Sequence, residues 1–298
     1  MSMLAANPFA GIAHMLGHPF LRYAFIAGTG IAIASGLVGY FIVLRQQVFT
    51  GDALSHVAFT GALAALAAGI NLRIGLYGAC ILVALLIAAL GNRGSGDDTT
   101  IGIVFAWILG LGAFFLTIYT TSRSGTAGGT TGINVLFGSI FGLSRAAAQT
   151  NAVLSLLVAV AVIGLARPLL FASIDDNVAG ARGVPVRALG FALMFLVGVT
   201  AAQATQAIGA LLLLGLLAAP AGAAQRLTAR PFAAMWLSAA IALLSVWTGL
   251  SIAYAAPKIP PSFAIVATTT GIYLVSILVT KYARSSRLTT DAPAPVSS

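Results

Sequence analysis

In Gly51-Asp52-Ala53-Leu54-Ser55-His56 an aspartate and a histidine stand four residues apart at the start of the otherwise apolar stretch 53–70. On a helix this spacing sets their Cβ atoms about 5 to 6 Å apart on one face. A carboxylate oxygen and an imidazole nitrogen can then converge on one ion. That donor pair suits zinc, manganese or ferrous iron better than magnesium or calcium, which favour all-oxygen shells. The alternative is structural: Asp52 caps the helix N-terminus and His56 makes a buried hydrogen bond. The surroundings favour chemistry, because an ionisable group at the centre of a bilayer costs about 2.5 to 3.5 kcal/mol even on insertion scales. Two ligands from one chain hold an ion weakly, which suits a path that must also release it. Two copies facing each other could supply four.

The other polar clusters read more simply. Asp97 and Asp98 precede Thr99 and Thr100 at the start of an apolar run, a helix-capping pattern with a favourable dipole contact. Ser173-Ile174-Asp175-Asp176-Asn177 predicts a cap for a short helix over 178–182, closed by Gly183-Val184-Pro185. Arg167, Arg182 and Arg187 bracket it, so this polar stretch is a candidate docking surface for a cytoplasmic partner. His14 and His18 fall in a short amphipathic lead-in and are given an interfacial role. The single Cys80 lies in an apolar run, which leaves no disulfide and no cysteine-based zinc site within one chain.

The elements that must position these residues are membrane helices. Of 298 residues, 59% are hydrophobic and 7% charged, and mean hydropathy is +1.02; a soluble domain carries roughly 25% charged residues. The six acids are Asp52, Asp97, Asp98, Asp175, Asp176 and Asp291, with no glutamate. The formal charge of +9 is carried by bases standing singly between apolar runs, so nucleic-acid binding is a poor reading. A span needs about 20 apolar residues, and 24–44, 74–91, 101–122, 146–166, 188–225, 232–256 and 262–280 contain no Asp, Glu, Lys or Arg. The stretch 188–225 is long enough for two spans, with Gln203-Ala204-Thr205-Gln206 as the expected tight turn. The shorter 53–70 and 132–144 are expected as tilted, broken or re-entrant pieces. The fold class is an all-α polytopic bundle of about nine or ten membrane segments.

Residues 1–23 are expected as a lead-in at the membrane surface, since Pro8 interrupts any cleaved-signal pattern. Residues 24–281 form the transmembrane domain and 282–298 a flexible cytoplasmic tail. The bias of bases toward the cytoplasm places Arg45, Arg93, Arg167, Arg182, Arg187, Arg226, Arg230, Lys281, Arg284 and Arg287 inside. Arg22, Arg73, Arg123, Arg145 and Lys258 fall outside. This works only if 132–144 returns to the outer side, which leaves the N-terminus outside. Gly28, Ala32 and Gly36, and likewise Gly215, Ala219 and Gly222, make small-residue faces for close helix packing. The chain has no phosphate-binding glycine loop with lysine, no His-Glu-x-x-His, no nucleophile elbow and no Cys-x-x-Cys. It is read as no enzyme.

The run from Phe41 through Val43-Leu44-Arg45 to Gly51-Asp52-Ala53-Leu54-Ser55-His56 resembles the signature of the membrane permease subunit of zinc/manganese ABC importers. Further matches follow in order: Asp98-Thr99-Thr100-Ile101-Gly102-Ile103, then Leu136-Phe137-Gly138. Asp175 with Ala179, Gly183 and Pro185 comes next, and Ile208-Gly209 through Pro220-Ala221 closes the series. The similarity runs from about residue 24 to 280. It implies a homodimer in the bacterial cytoplasmic membrane, surrounded by membrane lipid, served by a cytoplasmic ABC ATPase dimer and by an extracytoplasmic metal-binding protein. ATP hydrolysis would belong to the ATPase subunit. Asp52 and His56 would line the translocation path, and 173–187 would be the coupling segment, with Asp175, Ala179, Gly183 and Pro185 as its matched positions. No cofactor is implied as a resident group; zinc or manganese, with iron a lesser candidate, is the substrate. Asn177 stands where many members carry an acid, and 132–135 lacks the polar residues some carry there. Two other classes stay open: a permease for metal chelates of the siderophore or cobalamin type, and a proton-coupled secondary carrier using Asp52 alone.

Overall fold

The computed structural model describes residues 19–91, 98–122, 136–210 and 213–290. These form α1 (Pro19–Leu44), α2 (Val48–Ala67), α3 (Leu72–Leu90), α4 (Asp98–Ser122) and a 3-10 turn (Ile140–Gly142). After it come α5 (Arg145–Ile174), α6 (Asp176–Ala181), α7 (Val186–Ile208), α8 (Leu213–Leu227), α9 (Pro231–Ala255) and α10 (Pro261–Thr290). Seven of them, α1, α3, α4, α5, α7, α9 and α10, are long and apolar enough to cross a bilayer. The 20-residue α2 and the 15-residue α8 join them in the bundle. The architecture is the expected all-α polytopic bundle.

The first spanning helix is the middle of the molecule: α1 packs against α5, α7, α8 and α9. Its small residues make this possible, because lipid supplies no hydrophobic drive between helices and close backbone contact must substitute. A Cβ on Gly36 would stand 2.6 Å from Ala239 Cα, and one on Gly39 would meet the Leu217 carbonyl. Elsewhere Gly61 of α2 and Gly75 of α3 face each other, and Gly215 and Gly222 of α8 lie against Val266 and Tyr273 of α10.

Polar side chains bonded between helices fix the register. Ser238 Oγ donates to the Gly36 carbonyl at 2.7 Å and Trp247 Nε1 to Thr29 Oγ1 at 3.0 Å, so α9 runs antiparallel to α1. Ser155 Oγ of α5 donates to Gln203 Oε1 of α7 at 2.9 Å, and Tyr77 of α3 donates to Asn151 Oδ1 of α5 at 3.0 Å.

That Ser155 bond explains a departure from expectation. The polar Gln203-Ala204-Thr205-Gln206 is no turn; it is the last part of α7, and Gln203 is wholly buried. The break falls at Gly209, with φ 101°, whose backbone lies against Leu136, Phe137 and Gly138. Gly138 is also left-handed, with φ 73°, and a Cβ on either glycine would strike the other's chain. Ser262 Oγ at the start of α10 closes the junction by donating to the Phe137 carbonyl at 2.7 Å.

Residues 136–144 do not cross the bundle, and 132–135 lie outside the described residues. The chain goes from this junction through the 3-10 turn, where Phe141 meets Phe20 edge-on at 6.0 Å, to Ser144, which caps α5. Helix α5 therefore starts at the end where α1 starts and runs parallel to it. Arg22 and Arg145 line one cavity at that end, while Arg45 bonds Ser173 at the other. Residues 136–144 thus lead into α5 at the end where α1 starts, the end at which the distribution of bases needs α5 to begin.

Candidate functional site

The site helix enters through a tight turn. After α1, Gln46 takes a left-handed backbone (φ 58°), a conformation costly for a residue with a side chain. Gln47 then takes the N-cap position without a side-chain cap bond, and α2 begins at Val48. Asp52 is thus a full turn inside the helix, and its carboxylate caps nothing. Its backbone carbonyl accepts from Ser55 Oγ at 2.6 Å. Among the described residues neither the Asp52 carboxylate nor the His56 imidazole has a hydrogen-bond partner.

Phe49, Asp52, His56 and Phe59 form the one open lane on the first turns of α2. Phe49 is 66% exposed and the other three are half-buried, whereas Ala53, Leu54, Ser55, Val57 and Ala58 are buried. Steps of three, four and three place this lane on one helix face. Helix α4 runs parallel along its flank. Phe105 meets the His56 ring edge-on at 5.2 Å, and Thr60 Oγ1 donates to the Ile108 carbonyl at 3.2 Å beside Gly112. Among the described residues no third His, Cys or acid joins Asp52 and His56.

Residues 173–187, the expected coupling segment, lie at the end of the bundle where α2 begins. Asp175 caps α6 by accepting from the Val178 amide at 2.9 Å, the cap that the sequence predicts; the helix itself starts two residues earlier than expected. Ala179 is fully buried and anchors α6 onto the bundle, while Asn177, Val178, Gly180 and Arg182 are exposed. Arg182 lies over the Phe171 ring at 5.9 Å. Gly183 turns the chain at φ 81°, and Pro185 takes the N-cap position of α7. Asp175, Ala179, Gly183 and Pro185 thus belong to one turn of chain, apart from Asp52 and His56.

A contact between distant parts of the chain joins the two groups. Arg45, a cytoplasmic base that also closes the Val43-Leu44-Arg45 piece of the resemblance, donates from Nε to Ser173 Oγ at 2.8 Å, and Ser173 Oγ in turn reaches the Leu169 carbonyl at 2.5 Å. Burial pushes the Arg45 guanidinium below its ordinary range, and the Asp176 carboxylate opposes that push. Its place directly ahead of the Gly51 to His56 motif was the available signal. Phe105 was missed, because an aromatic in an apolar span carries no mark of its neighbour. Asp98 opens α4; Asp97, His14 and His18 lie outside the described residues.

The chain is 30% identical over 269 residues to the manganese import system permease protein ScaB of Streptococcus parasanguinis, covering 90% of this chain and 93% of that one. It is 30% identical over 237 residues to the manganese transport system membrane protein MntC of Halalkalibacterium halodurans, covering 79% of each. The solved structure of PsaBC from Streptococcus pneumoniae in complex with Fab superposes with a TM-score of 0.76 at 26% identity, over 91% of this chain and 95% of that one. With residues 17–280 matching the ABC 3 transport family, a span that takes in every described helix but the last turns of α10, the chain belongs to that family.

Proposed function

We propose that this chain is the membrane permease subunit of an ATP-binding-cassette importer that carries a divalent transition metal ion, manganese before zinc, into the bacterial cytoplasm. The observation that carries it is the open lane on α2, in which Asp52 and His56 present an oxygen and a nitrogen donor without internal partners. The two relatives named for manganese support the order of the metals.

Mechanistically, a lane open on one face of a single chain is half a site. A second copy set across the lane brings the ligand count to four, enough to replace part of an ion's hydration while leaving it free to move on. Selectivity then rests on geometry and on the delivering protein, since raw affinity of such a site only follows the Irving–Williams order. Energy comes from a separate ATPase pair docked against the exposed face of α6. Closure of that pair moves α6, and Arg45 passes the movement to the turn that carries α2.

The test is ATP-driven uptake of radioactive manganese and zinc into proteoliposomes holding the full complex. Wild type takes up manganese, and both Asp52→Ala and His56→Ala abolish uptake while the complex still assembles and hydrolyses ATP. Normal uptake by either variant would return these residues to structural roles. Hydrolysis without uptake of any free ion by wild type would move the substrate to a metal chelate, and uptake that survives ATP depletion but not an uncoupler would make it a proton-coupled carrier.

A further inference from the structure

Among the described residues, the end of the bundle opposite α6 carries bases without acids. The acids among the described residues, Asp52, Asp98, Asp175 and Asp176, all lie in or next to segments at the α6 end. Residues 1–51, 53–96 and 99–174 contain no acid at all. At the acid-free end, Arg22 of α1 and Arg145 of α5 line one cavity of about 380 Å³ with Tyr23, Ile26 and Gln149. Neither guanidinium has a hydrogen bond or ion pair among the described residues. Among the described residues no carboxylate pairs with them. Both side chains are exposed and free to meet an anion from another molecule.

Arg22 and Ile26 also line a second groove, continuous with the first, whose other walls are Phe25 and Thr29 and whose surface is almost wholly apolar. Successive turns of α1 thus pass from a paired cationic cup at the helix start to an apolar channel running down the membrane face, where Ile26 is 49% exposed. A folded acidic partner would complement the cup and leave the channel unfilled. We infer that this composite groove binds an anionic phospholipid, its phosphate between Arg22 and Arg145 and one acyl chain along Phe25, Ile26 and Thr29. Two planar guanidinium forks match a phosphate's oxygens, and the amide of Gln149 offers a further donor to the headgroup.

The experiment presents the purified full complex with equimolar phosphatidylglycerol and phosphatidylcholine in detergent and counts the lipids retained by native mass spectrometry. Wild type retains phosphatidylglycerol in preference. Arg22→Gln and Arg145→Gln each lower that preference about fivefold, the ratio that a single interfacial base of about 1 kcal/mol gives. The double variant abolishes it, the Arg22→Lys/Arg145→Lys pair keeps most of it, and Ile26→Ser weakens retention of both lipids without changing their ratio. Equal retention of the two lipids by wild type, or an unchanged preference in the double variant, would overturn the site. Glycerophosphoglycerol held as tightly as the intact lipid would remove the apolar channel from the inference. A double variant that keeps its lipid preference but loses affinity for the metal-delivering protein would reassign the cup to a protein partner. Lipid retention is read without transport, so its failure is separable from failure of the metal reading.

Discussion

Arg45, on the turn that feeds the site helix, holds Ser173, the residue at which α5 gives way to the coupling segment, through a 2.8 Å hydrogen bond across 128 positions of sequence. The bond joins the start of the lane with Asp52 and His56 to the entry to α6, the two places that the proposed function couples. It is partly buried; that burial pushes the guanidinium below its ordinary range, and the neighbouring Asp176 opposes the push.

Cutting this link should separate hydrolysis from transport. A hydrogen bond to a charged group contributes about 1.5 to 3 kcal/mol. Arg45→Ala and Ser173→Ala are therefore each expected to lower uptake per ATP hydrolysed by about ten- to a hundredfold, and the double variant no further. Uptake and phosphate release measured on the same proteoliposomes check this. A double variant whose losses simply multiply would mean the two side chains act independently.

The cap on α6 allows a finer test. Asp175→Ala removes the acceptor for the Val178 amide, a loss of about 0.5 to 2 kcal/mol of local helix stability. Asp175→Asn and Asp175→Ser keep a capping oxygen. If α6 transmits motion as a rigid body, Ala should uncouple the transporter while Asn and Ser stay near wild type. Asn failing as badly as Ala would point to the charge, not the cap.

Phe105 orients the His56 ring by an edge contact, and such pairs are worth about 0.5 to 1.5 kcal/mol. Phe105→Leu keeps the bulk and loses the ring. We expect the half-saturating manganese concentration to rise about two- to tenfold with the maximal rate little changed. A reduced maximal rate at unchanged half-saturation would contradict an orienting role.

Glycines in neighbouring turns should behave oppositely. A Cβ on Gly75 strikes the Gly61 carbonyl, whereas one on Gly78 meets nothing within 4 Å. Gly75→Ala should cost about 1 to 3 kcal/mol by forcing α2 and α3 apart, and Gly78→Ala should be neutral or gain up to about 1 kcal/mol from helix propensity. Thermal unfolding of the two variants in detergent decides it.

The bundle was legible because runs free of charge are a physical requirement of the bilayer interior, and Asp52 and His56 were legible because they break that requirement within one helix turn. The cap at Asp175 was legible from its polar run and the following Gly183. The end of α7 was not. Gln203, Thr205 and Gln206 look like water-facing residues until Ser155, 48 positions earlier, is seen to occupy Gln203, and pairwise satisfaction of polar groups leaves no trace in hydropathy. The partner of Arg45 was hidden for the same reason: an isolated base reads as a topology marker, and Ser173 lies on a helix that composition cannot bring near.

The central position of α1 also sets a timetable for biogenesis. It is the first of the described helices to be synthesised, yet 72% of its spanning window is buried by partners, of which the earliest strongly packed one, α5, starts about 100 residues after Leu44, and the latest, α9, nearly another 90 later. At roughly 5 to 20 residues per second of synthesis, α1 waits alone in lipid for about five seconds at the least, and up to about 40 seconds before α9 is made. Between Tyr23 and Leu44 it carries no charge on any face, although its burial would have allowed a paired one. The helix is written for the solvent in which it waits as well as for the neighbours it finally meets.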